Sequence, residues 1–274
     1  MPAEWSAAPA QPITVDGKAL EYACWGPPPG DDLTIVLLHE GLGSVAQWKD
    51  FPEKLTAETG LGVVAYSRAG YGGSDPVALP RPLDYMTREA EEVLGGVLDA
   101  LGIGHCILLG HSDGATIAAI YAGSVSDLRV RGLVLIAPHF FTEPGGLETI
   151  RGAGRAFDEG RLKDKLAKYH TNVDVAFHGW HGAWTDPEFE DWNVADVIDH
   201  WRIPVLAIQG RDDPYGTLAQ IAEIEDRIYS PVETLILDDC GHAPHLEHPE
   251  ETRAAIAEFC ARLDRLEREP VAIA

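Results

Sequence analysis

The sequence predicts an α/β fold, with a mostly parallel sheet of eight strands and an inserted helical cap. Eight short runs rich in Val, Ile and Leu alternate with segments of helical spacing. Such alternation is typical of a sheet covered by helices on both faces. The later runs are nearly continuous in apolar residues, which favours strands buried on both faces. One long, aromatic-rich stretch interrupts the alternation and predicts the cap.

The first two apolar runs, PITVDG and ALEYACWG, are joined by a tight turn with Asp16 and Gly17 at its tip. This turn predicts an antiparallel hairpin at one edge of the sheet. Parallel strands are predicted in TIVLLHE, GVVAYSR, HCILLGH, VRGLVLIAP, PVLAIQG and VETLILDD. Helices are predicted between them in SVAQWKDFPEKLTAETG, YMTREAEEVLGGVLDALG, ATIAAIYAGSV and GTLAQIAEIEDRI.

The alternation stops after Pro138, and the strand pattern resumes at Ile203. The intervening stretch has mostly helical spacing and carries many aromatic residues. A helical insert between two strands of such a sheet most simply covers its carboxyl edge, where ligands bind in open α/β folds. We therefore expect a core domain of residues 1–137 and 203–274 and a helical cap of residues 138–202.

Composition narrows the class of partner. The 274 residues include 44 acidic and 21 basic side chains, a net charge of −23. We expect no nucleic-acid partner, because phosphates need a basic surface, and no membrane partner, because no apolar run approaches about 18 residues.

The start, MPAEWSAAPAQP, lacks the features of a signal peptide. Four scattered cysteines form no CxxC pair, so we expect buried thiols in a cytoplasmic protein.

The first chemical signal lies where a predicted strand meets a predicted helix. Gly110-His111-Ser112-Asp113-Gly114 has the pattern G-x-S-x-G. A nucleophilic serine must be presented on a sharp turn, and glycines on both sides remove side chains that would collide there. In this context a nucleophile is preferred to a serine that only caps the helix. We therefore expect Ser112 to be a nucleophile.

With this elbow, the chain resembles the serine-dependent α/β-hydrolase fold family. In that family the acid follows a late strand in a G-x-x-D pattern, here GRDD ending at Asp213. The base follows the last strand in a G-H-x-P pattern, here GHAP with His242. The resemblance covers most of residues 12–265 and implies a Ser112–His242–Asp213 triad, in the family's chain order. Asp212 is the alternative acid, but Asp213 has the family's spacing from Gly210. Both aspartates would also suit a turn or a helix cap.

Three histidines are spaced like a metal-binding set: His242, His245 and His248. Pro244 and Pro249 break any helix that would align them, and no cysteine or carboxylate set completes a zinc shell. We therefore expect no metal site. No glycine-rich nucleotide motif occurs either, so no cofactor is expected.

The loop after the third strand run, HEGLGS, resembles the family's H-G-G-x-G loop, with Glu40 in place of the first glycine. The resemblance implies an oxyanion hole formed by the backbone N–H groups of Asp113 and Gly41. If the loop contains an insertion, Leu42 donates instead of Gly41. His39 is expected to organise this loop through hydrogen bonds.

The segment YSRAGYGGS resembles the family's D-x-R-G-x-G-x-S loop, with Tyr66 in place of the usual acid. Because the acid is absent, we expect Arg68 to be a structural clamp rather than a substrate ligand. Glu40 is a candidate partner for it.

Asp113 has two interpretations. A carboxylate in the first turn of a helix complements the helix dipole. Alternatively, Ser-Asp-Gly is similar to the elbow of the valacyclovir-hydrolase group, in which that acid receives the amino group of an amino-acid ester. This second interpretation makes Asp113 a candidate substrate-binding residue.

Further substrate contacts are expected from the cap and from one strand end. Phe177, Trp180, His181 and Trp184 lie at helical spacing, so this face either packs onto the core or shapes an apolar pocket. His139 and Phe140 directly follow a strand end and are expected at the cleft. The candidate substrate-binding residues are therefore Asp113, His139, Phe140, Trp180, His181 and Trp184.

These observations predict a serine hydrolase that cleaves a small or medium carboxylic ester through an acyl-enzyme. The substrate is a small molecule, and the oligomeric state stays open. One alternative is a hydrolase of carbon–carbon bonds in ring-fission products. Its acidic substrates usually need basic pocket residues, whereas the expected neighbourhood of Ser112 offers Asp113 and Glu40. The other is a ligand receptor on the same fold, which the complete triad disfavours.

Overall fold

The computed structural model describes Trp5 and residues 12–268 and confirms the α/β fold with a mostly parallel sheet. In chain order its strands are β1 Ile13–Val15, β2 Lys18–Leu20, β3 Tyr22–Trp25, β4 Thr34–Leu38, β5 Gly62–Tyr66, β6 Cys106–His111, β7 Val130–Ile136, β8 Val205–Gly210 and β9 Val232–Leu237. The main sheet has the order β3-β5-β4-β6-β7-β8-β9, in which β3 is antiparallel to β5. The other neighbours are parallel, so their carboxyl ends share one edge.

The number of strands in this sheet corrects the prediction of eight. In the described residues the main sheet has seven strands, and the predicted hairpin, β1–β2, forms a two-stranded sheet of its own. The second apolar run is divided at Glu21, whose carboxylate accepts hydrogen bonds from the Ser67 hydroxyl (2.6 Å) and the Gly73 N–H (3.0 Å). These bonds turn the chain between β2 and β3, so only β3 joins the large sheet.

The helices of the described residues are α1 Phe51–Thr59, α2 Tyr85–Arg88, α3 Gly95–Leu101, α4 Asp113–Ser124, α5 Pro144–Asp158, α6 Arg161–Leu166, α7 Val173–Trp184, α8 Ala219–Arg227, α9 Pro244–Glu247 and α10 Pro249–Arg268. A π-helical segment, Glu89–Leu94, joins α2 to α3, and short 3₁₀ turns span Val45–Trp48, Pro187–Phe189 and Ala195–His200. Within this part of the chain, none of the helices combines the length and apolar character needed to cross a bilayer.

The core lies on both faces of the sheet. Along β4, Val36 and Leu38 belong to one buried cluster and Ile35 and Leu37 to the other. This alternation follows from the two-residue period of a strand. The first cluster includes residues of α2, α3 and α4, and the second includes residues of α1 and α10.

The predicted helical insertion is present between β7 and β8, where α5, α6 and α7 lie. A bridge between Phe141 and Asn193 pairs the two ends of this excursion. The following turn, Ala195–His200, packs against α4, and the Trp201 indole N–H donates to the carbonyl oxygen of Ala119 (2.9 Å). The exact limits of the cap, 138–202, stay a prediction.

Candidate active site

Ser112 lies at the junction between β6 and α4, in a backbone conformation that is rare for a residue with a side chain (φ 54°, ψ −121°). Close packing of the chain explains the flanking glycines. A Cβ on Gly110 would lie 2.3 Å from the carbonyl oxygen of Gly114, and a Cβ on Gly114 would lie 2.0 Å from that of Leu38. The Ser112 N–H donates to the carbonyl oxygen of Ile136 (2.9 Å), which fixes the turn.

A cavity of about 390 Å³ opens at the carboxyl edge of the sheet, beside the cap helices. Ser112 and His242 both line it, and Ser112 is 7% exposed. In the described part of the chain, Ser112 Oγ is not hydrogen-bonded to His242, although both groups face this space. Catalytic hydrogen bonds of this kind often tighten only when substrate is bound. The main lining side chains are Glu40, Leu42, Trp48, His111, Asp113, His139, Ile150, Tyr169, Trp180, Trp184, Tyr215, His245 and Leu246.

The imidazole of His242 is oriented by Asp213. His242 Nδ1 lies 2.7 Å from Asp213 Oδ2, and the same oxygen accepts from Gln209 Nε2 (2.9 Å). Asp213 Oδ1 accepts from the Tyr215 N–H (2.8 Å). Burial disfavours ionisation of Asp213, but the hydrogen bond from His242 outweighs it, so the pKa of this carboxyl lies below its usual value. Asp212, the alternative acid, is exposed to solvent. The partner of His242 is Asp213.

Arg68 and His39 hold the loop of residues 39–44. The Arg68 guanidinium, which is buried, donates to the carbonyl oxygens of His39 (2.5 Å) and Glu40 (3.0 Å). His39 Nε2 accepts from the Arg68 N–H (3.1 Å), so its Nδ1 carries the hydrogen and donates to the Glu40 carbonyl (2.7 Å). Burial lowers the pKa of His39 well below its usual value, which keeps the ring neutral. Glu40 is therefore a partner of Arg68, as predicted, but through its backbone carbonyl and not through its carboxylate.

The cap reaches the same loop at Gly41. A Cβ on Gly41 would lie 2.3 Å from Nε1 of Trp180, so a glycine is needed where this indole packs against the loop. The His170 ring, which precedes α7, contacts the carbonyl oxygen of Leu42 through Nε2 (2.9 Å). The cap and the 39–44 loop are thus directly connected.

Asp113 lies in the first turn of α4, with its carboxylate buried beside the cavity. Oδ2 accepts a hydrogen bond from the Tyr85 hydroxyl, which in turn accepts from Trp184 Nε1 (3.0 Å). Oδ1 is buried without a hydrogen-bond partner among the described residues. Burial raises the pKa of this carboxyl, although Arg68 opposes the shift. One oxygen therefore anchors the cap, and the other lacks a partner.

The structure brings His139, Trp180 and Trp184 to the cavity but keeps two other predicted contacts away from it. Phe140 is fully buried, and its ring centroid lies 6.0 Å from that of Trp201 in the core. His181 stacks on Phe177 at 5.1 Å, inside the cap. Phe140 follows His139 and His181 follows Trp180, and both of these preceding residues line the cavity. Side chains of adjacent residues point in different directions, so the two predicted contacts face elsewhere.

His111 and Tyr215 line the cavity without any sequence-based assignment, and His245, which also lines it, was considered only as part of a metal-binding set. His111 occupies the variable position of the G-x-S-x-G pattern, and Tyr215 lies two residues after Asp213, so proximity to a motif is the signal that could have identified them. The Tyr215 and His242 ring centroids are 4.6 Å apart. Glu40, a departure from the loop pattern, was expected as a partner of Arg68 and as an acidic group near Ser112, but not as a partner of His111.

The three spaced histidines do not converge. His245 packs against Trp48, with ring centroids 5.1 Å apart, and is almost fully buried. His248 contacts the carbonyl oxygen of Asp239 (3.3 Å). Across Trp5 and residues 12–268, no group of three or more His, Cys, Asp or Glu side chains is arranged to hold a metal ion.

Comparison with known sequences agrees with this architecture. The sequence profile of the alpha/beta hydrolase family matches residues 35–255, which is most of the chain. The chain belongs to the alpha/beta hydrolase family.

Relatives within this family include several hydrolases. The sn-1-specific diacylglycerol lipase ABHD11 of Danio rerio is 33% identical, over 84% of this chain and 79% of the relative. The 2-hydroxymuconate semialdehyde hydrolase of a Pseudomonas species is 26% identical, over 86% of this chain and 89% of the relative. Among solved structures, a thermophilic esterase from Thermogutta terrifontis superimposes with a TM-score of 0.72 at 20% identity, covering 92% of this chain and 98% of that one. This last likeness shows the alpha/beta hydrolase fold.

His139 generates a testable pH dependence. Burial, aided by the nearby His242, lowers its pKa from 6.5 to about 3. Below about pH 6.5 this histidine binds a proton in the unfolded chain but stays neutral in the folded protein. The folded state therefore loses free energy relative to the unfolded state as the pH falls from about 6.5 toward 3. We predict that between about pH 7 and pH 4.5 the wild type loses about 2 kcal/mol more free energy of unfolding than His139→Gln. Urea denaturation at each pH measures the difference.

The matched control for this experiment is His200→Gln, at an exposed position. Its stability should follow the wild-type pH dependence. Parallel curves for the wild type and His139→Gln would contradict the assignment of a buried, neutral imidazole.

Proposed function

We propose that the protein is a serine hydrolase acting through Ser112, His242 and Asp213. Ser112 Oγ attacks an acyl carbonyl carbon while His242 Nε2 takes the hydroxyl proton. The same imidazolium then protonates the leaving alkoxide. His242 then deprotonates a water molecule that attacks the acyl-enzyme, and the imidazolium returns the proton to Ser112 Oγ as the carboxylic acid leaves. Asp213 accepts the hydrogen bond of Nδ1, so it selects the tautomer of His242 and stabilises its charged form.

One observation carries this proposal: a serine on a strained strand-to-helix turn shares a cavity with an imidazole bound to a buried carboxylate at 2.7 Å. A serine is a weak nucleophile unless a base is held beside it by a third group. The His111 ring, next to Ser112 in the chain, contacts the carbonyl oxygen of His242 at 2.7 Å. This contact links the serine elbow to the loop that carries His242.

The oxyanion hole is proposed to consist of the Gly41 and Asp113 N–H groups. Asp113 begins α4, so its N–H has no partner within the helix. The Glu40 carbonyl oxygen faces Arg68 and His39. In a trans peptide, the N–H of the next residue points the opposite way, which directs the Gly41 N–H away from Arg68. This orientation supports Gly41 as the second donor, and Leu42 stays the alternative.

The proposed substrate is a small or medium carboxylic ester. The cavity volume of about 390 Å³ suits a small-molecule ligand, and Trp180, Trp184 and Ile150 supply apolar walls. His139 is proposed to contact the substrate together with both tryptophans, because its ring lies 5.7 Å from that of His242. We propose that residues 138–202 act as the cap over this site. A cytoplasmic location and the absence of a cofactor stay predictions.

Cleavage of carbon–carbon bonds is the second candidate, favoured by the likeness to 2-hydroxymuconate semialdehyde hydrolase. The acidic side chains that line the cavity are Glu40 and Asp113, and Lys49 lies at its wall. Asp113 Oδ1 is buried beside the nucleophile without a hydrogen-bond partner among the described residues, which favours a neutral or cationic substrate over an acidic one. A panel of aryl esters beside dienoates separates the two reactions. Turnover of neither, with labelling of Ser112 by a fluorophosphonate, would support a ligand receptor.

We predict that Ser112→Ala lowers kcat on its best ester by about 10⁵-fold or more, because the acyl-enzyme cannot form. Steady-state hydrolysis of esters of varied chain length and charge measures this loss. Ser126→Ala, at an exposed position, is the matched control and should retain wild-type turnover. Residual activity of Ser112→Ala near the wild-type level would contradict the proposed nucleophile.

The unpartnered oxygen of Asp113 makes a prediction about substrate charge. If it receives a substrate ammonium group, Asp113→Asn should lose about tenfold or more in kcat/KM on α-amino esters, because the hydrogen bond to the ammonium group loses its negative partner. Neutral esters of the same size should be hydrolysed at near wild-type rates. Equal losses on both substrate classes would show that the carboxylate serves the Tyr85–Trp184 connection instead.

A further inference from the structure

The imidazole of His111 bridges two loops of the proposed active site. Nε2 lies 2.7 Å from the carbonyl oxygen of His242. A carbonyl oxygen only accepts hydrogen bonds, so Nε2 carries the hydrogen. This leaves Nδ1, which is buried, has no hydrogen-bond partner among the described residues, and lies 3.6 Å from Glu40 Oε2.

If Nδ1 carried no hydrogen, its lone pair would face the Glu40 carboxylate, and the two would repel each other in a poorly solvated environment. The His111 side chain is 4% exposed and that of Glu40 is 28% exposed. Buried polar groups that face each other without a shared hydrogen are costly. A proton on Nδ1 turns the contact into an ion pair between the imidazolium and the carboxylate.

The surroundings of His111 are consistent with this arrangement. The rings of His242 and His245 pack against it, with centroids 4.9 and 4.7 Å away. Burial lowers the pKa of His245 and that of His139, the next imidazole along the cavity wall, so both are uncharged near neutral pH. Burial disfavours ionisation of Glu40, yet the adjacent His111 outweighs it and holds the pKa of this carboxyl well below its usual range.

The position of Glu40 gives the pair a consequence for the reaction. Glu40 directly precedes Gly41, the proposed oxyanion donor, and its carboxylate folds over the same loop, since a Cβ on Gly43 would lie 2.4 Å from Glu40 Oε2. An uncompensated carboxylate beside the oxyanion hole would repel the negative charge that develops there. A neighbouring imidazolium cancels this repulsion.

We propose that Glu40 and His111 form a positioning pair, in which protonated His111 holds the carbonyl of His242 and neutralises Glu40 beside the oxyanion hole. The inference rests on the proposed hydrolase function. The pair ties together the 39–44 loop, the serine elbow and the loop that carries His242. It takes no part in bond making, and its proton stays in place through the cycle.

A double-mutant cycle on a neutral ester tests the pair. In His111→Gln, the side-chain amide can still donate to the His242 carbonyl, but Glu40 loses its counter-charge. We expect kcat to fall by about tenfold or more with little change in KM, because the loss affects the transition state. Glu40→Gln should cost less than about threefold, and adding it to His111→Gln should recover most of the lost kcat. A merely structural contact would give no such rescue.

Losses that add in the double variant, or Glu40→Gln alone as damaging as His111→Gln, would overturn the pair. If a variant fails to fold, as judged by thermal unfolding, ¹⁵N chemical shifts of the wild-type imidazoles decide. Both nitrogens of His111 should carry hydrogen near neutral pH, and an unprotonated Nδ1 would overturn the proposal.

Failure of the proposed function gives a different result from failure of the pair. If Ser112→Ala keeps wild-type turnover, the hydrolase mechanism itself fails. If Ser112→Ala is inactive and the cycle is additive, only the role of Glu40 and His111 is refuted.

Discussion

The close approach of α4 to the sheet is the constraint on which the site depends. The turn at Ser112 is possible only because Gly110 and Gly114 have no side chains where carbonyl groups lie about 2 Å from any Cβ. This turn places Ser112 at the carboxyl edge of β6, beside the cavity and at the start of α4. Strain in the backbone of Ser112 (φ 54°) is thus balanced by packing around it, as is common at functional sites.

Buried charge organises the rest of the cavity. Arg68 binds two carbonyl oxygens of the 39–44 loop instead of a carboxylate, so the clamp acts on the backbone and sets the direction of the Gly41 N–H. Asp113 connects the elbow helix to the cap through Tyr85 and Trp184. Asp113 is therefore linked to the cap through two side chains, and Gly41 lies directly against the cap residue Trp180.

Much of the fold was predictable because strand and helix periodicities are local properties. The convergence of Ser112, Asp213 and His242 at one edge also followed from motif and topology, since the carboxyl ends of parallel strands meet there. The strand count was not predictable, because the break at Glu21 depends on hydrogen bonds to residues 67 and 73. The directions of Phe140 and His181 were missed because one step along the chain turns a side chain from the cavity into the core or the cap. The contact between Glu40 and His111 joins two distant loops, which no local pattern reveals.

The most direct test of the account is a crystal structure of the protein after reaction with a fluorophosphonate. The account predicts phosphorus bonded to Ser112 Oγ, a phosphoryl oxygen within hydrogen-bond distance of the Gly41 and Asp113 N–H groups, and His242 Nε2 close to Ser112 Oγ. An adduct on another residue, or a phosphoryl oxygen that faces away from both N–H groups, would contradict it.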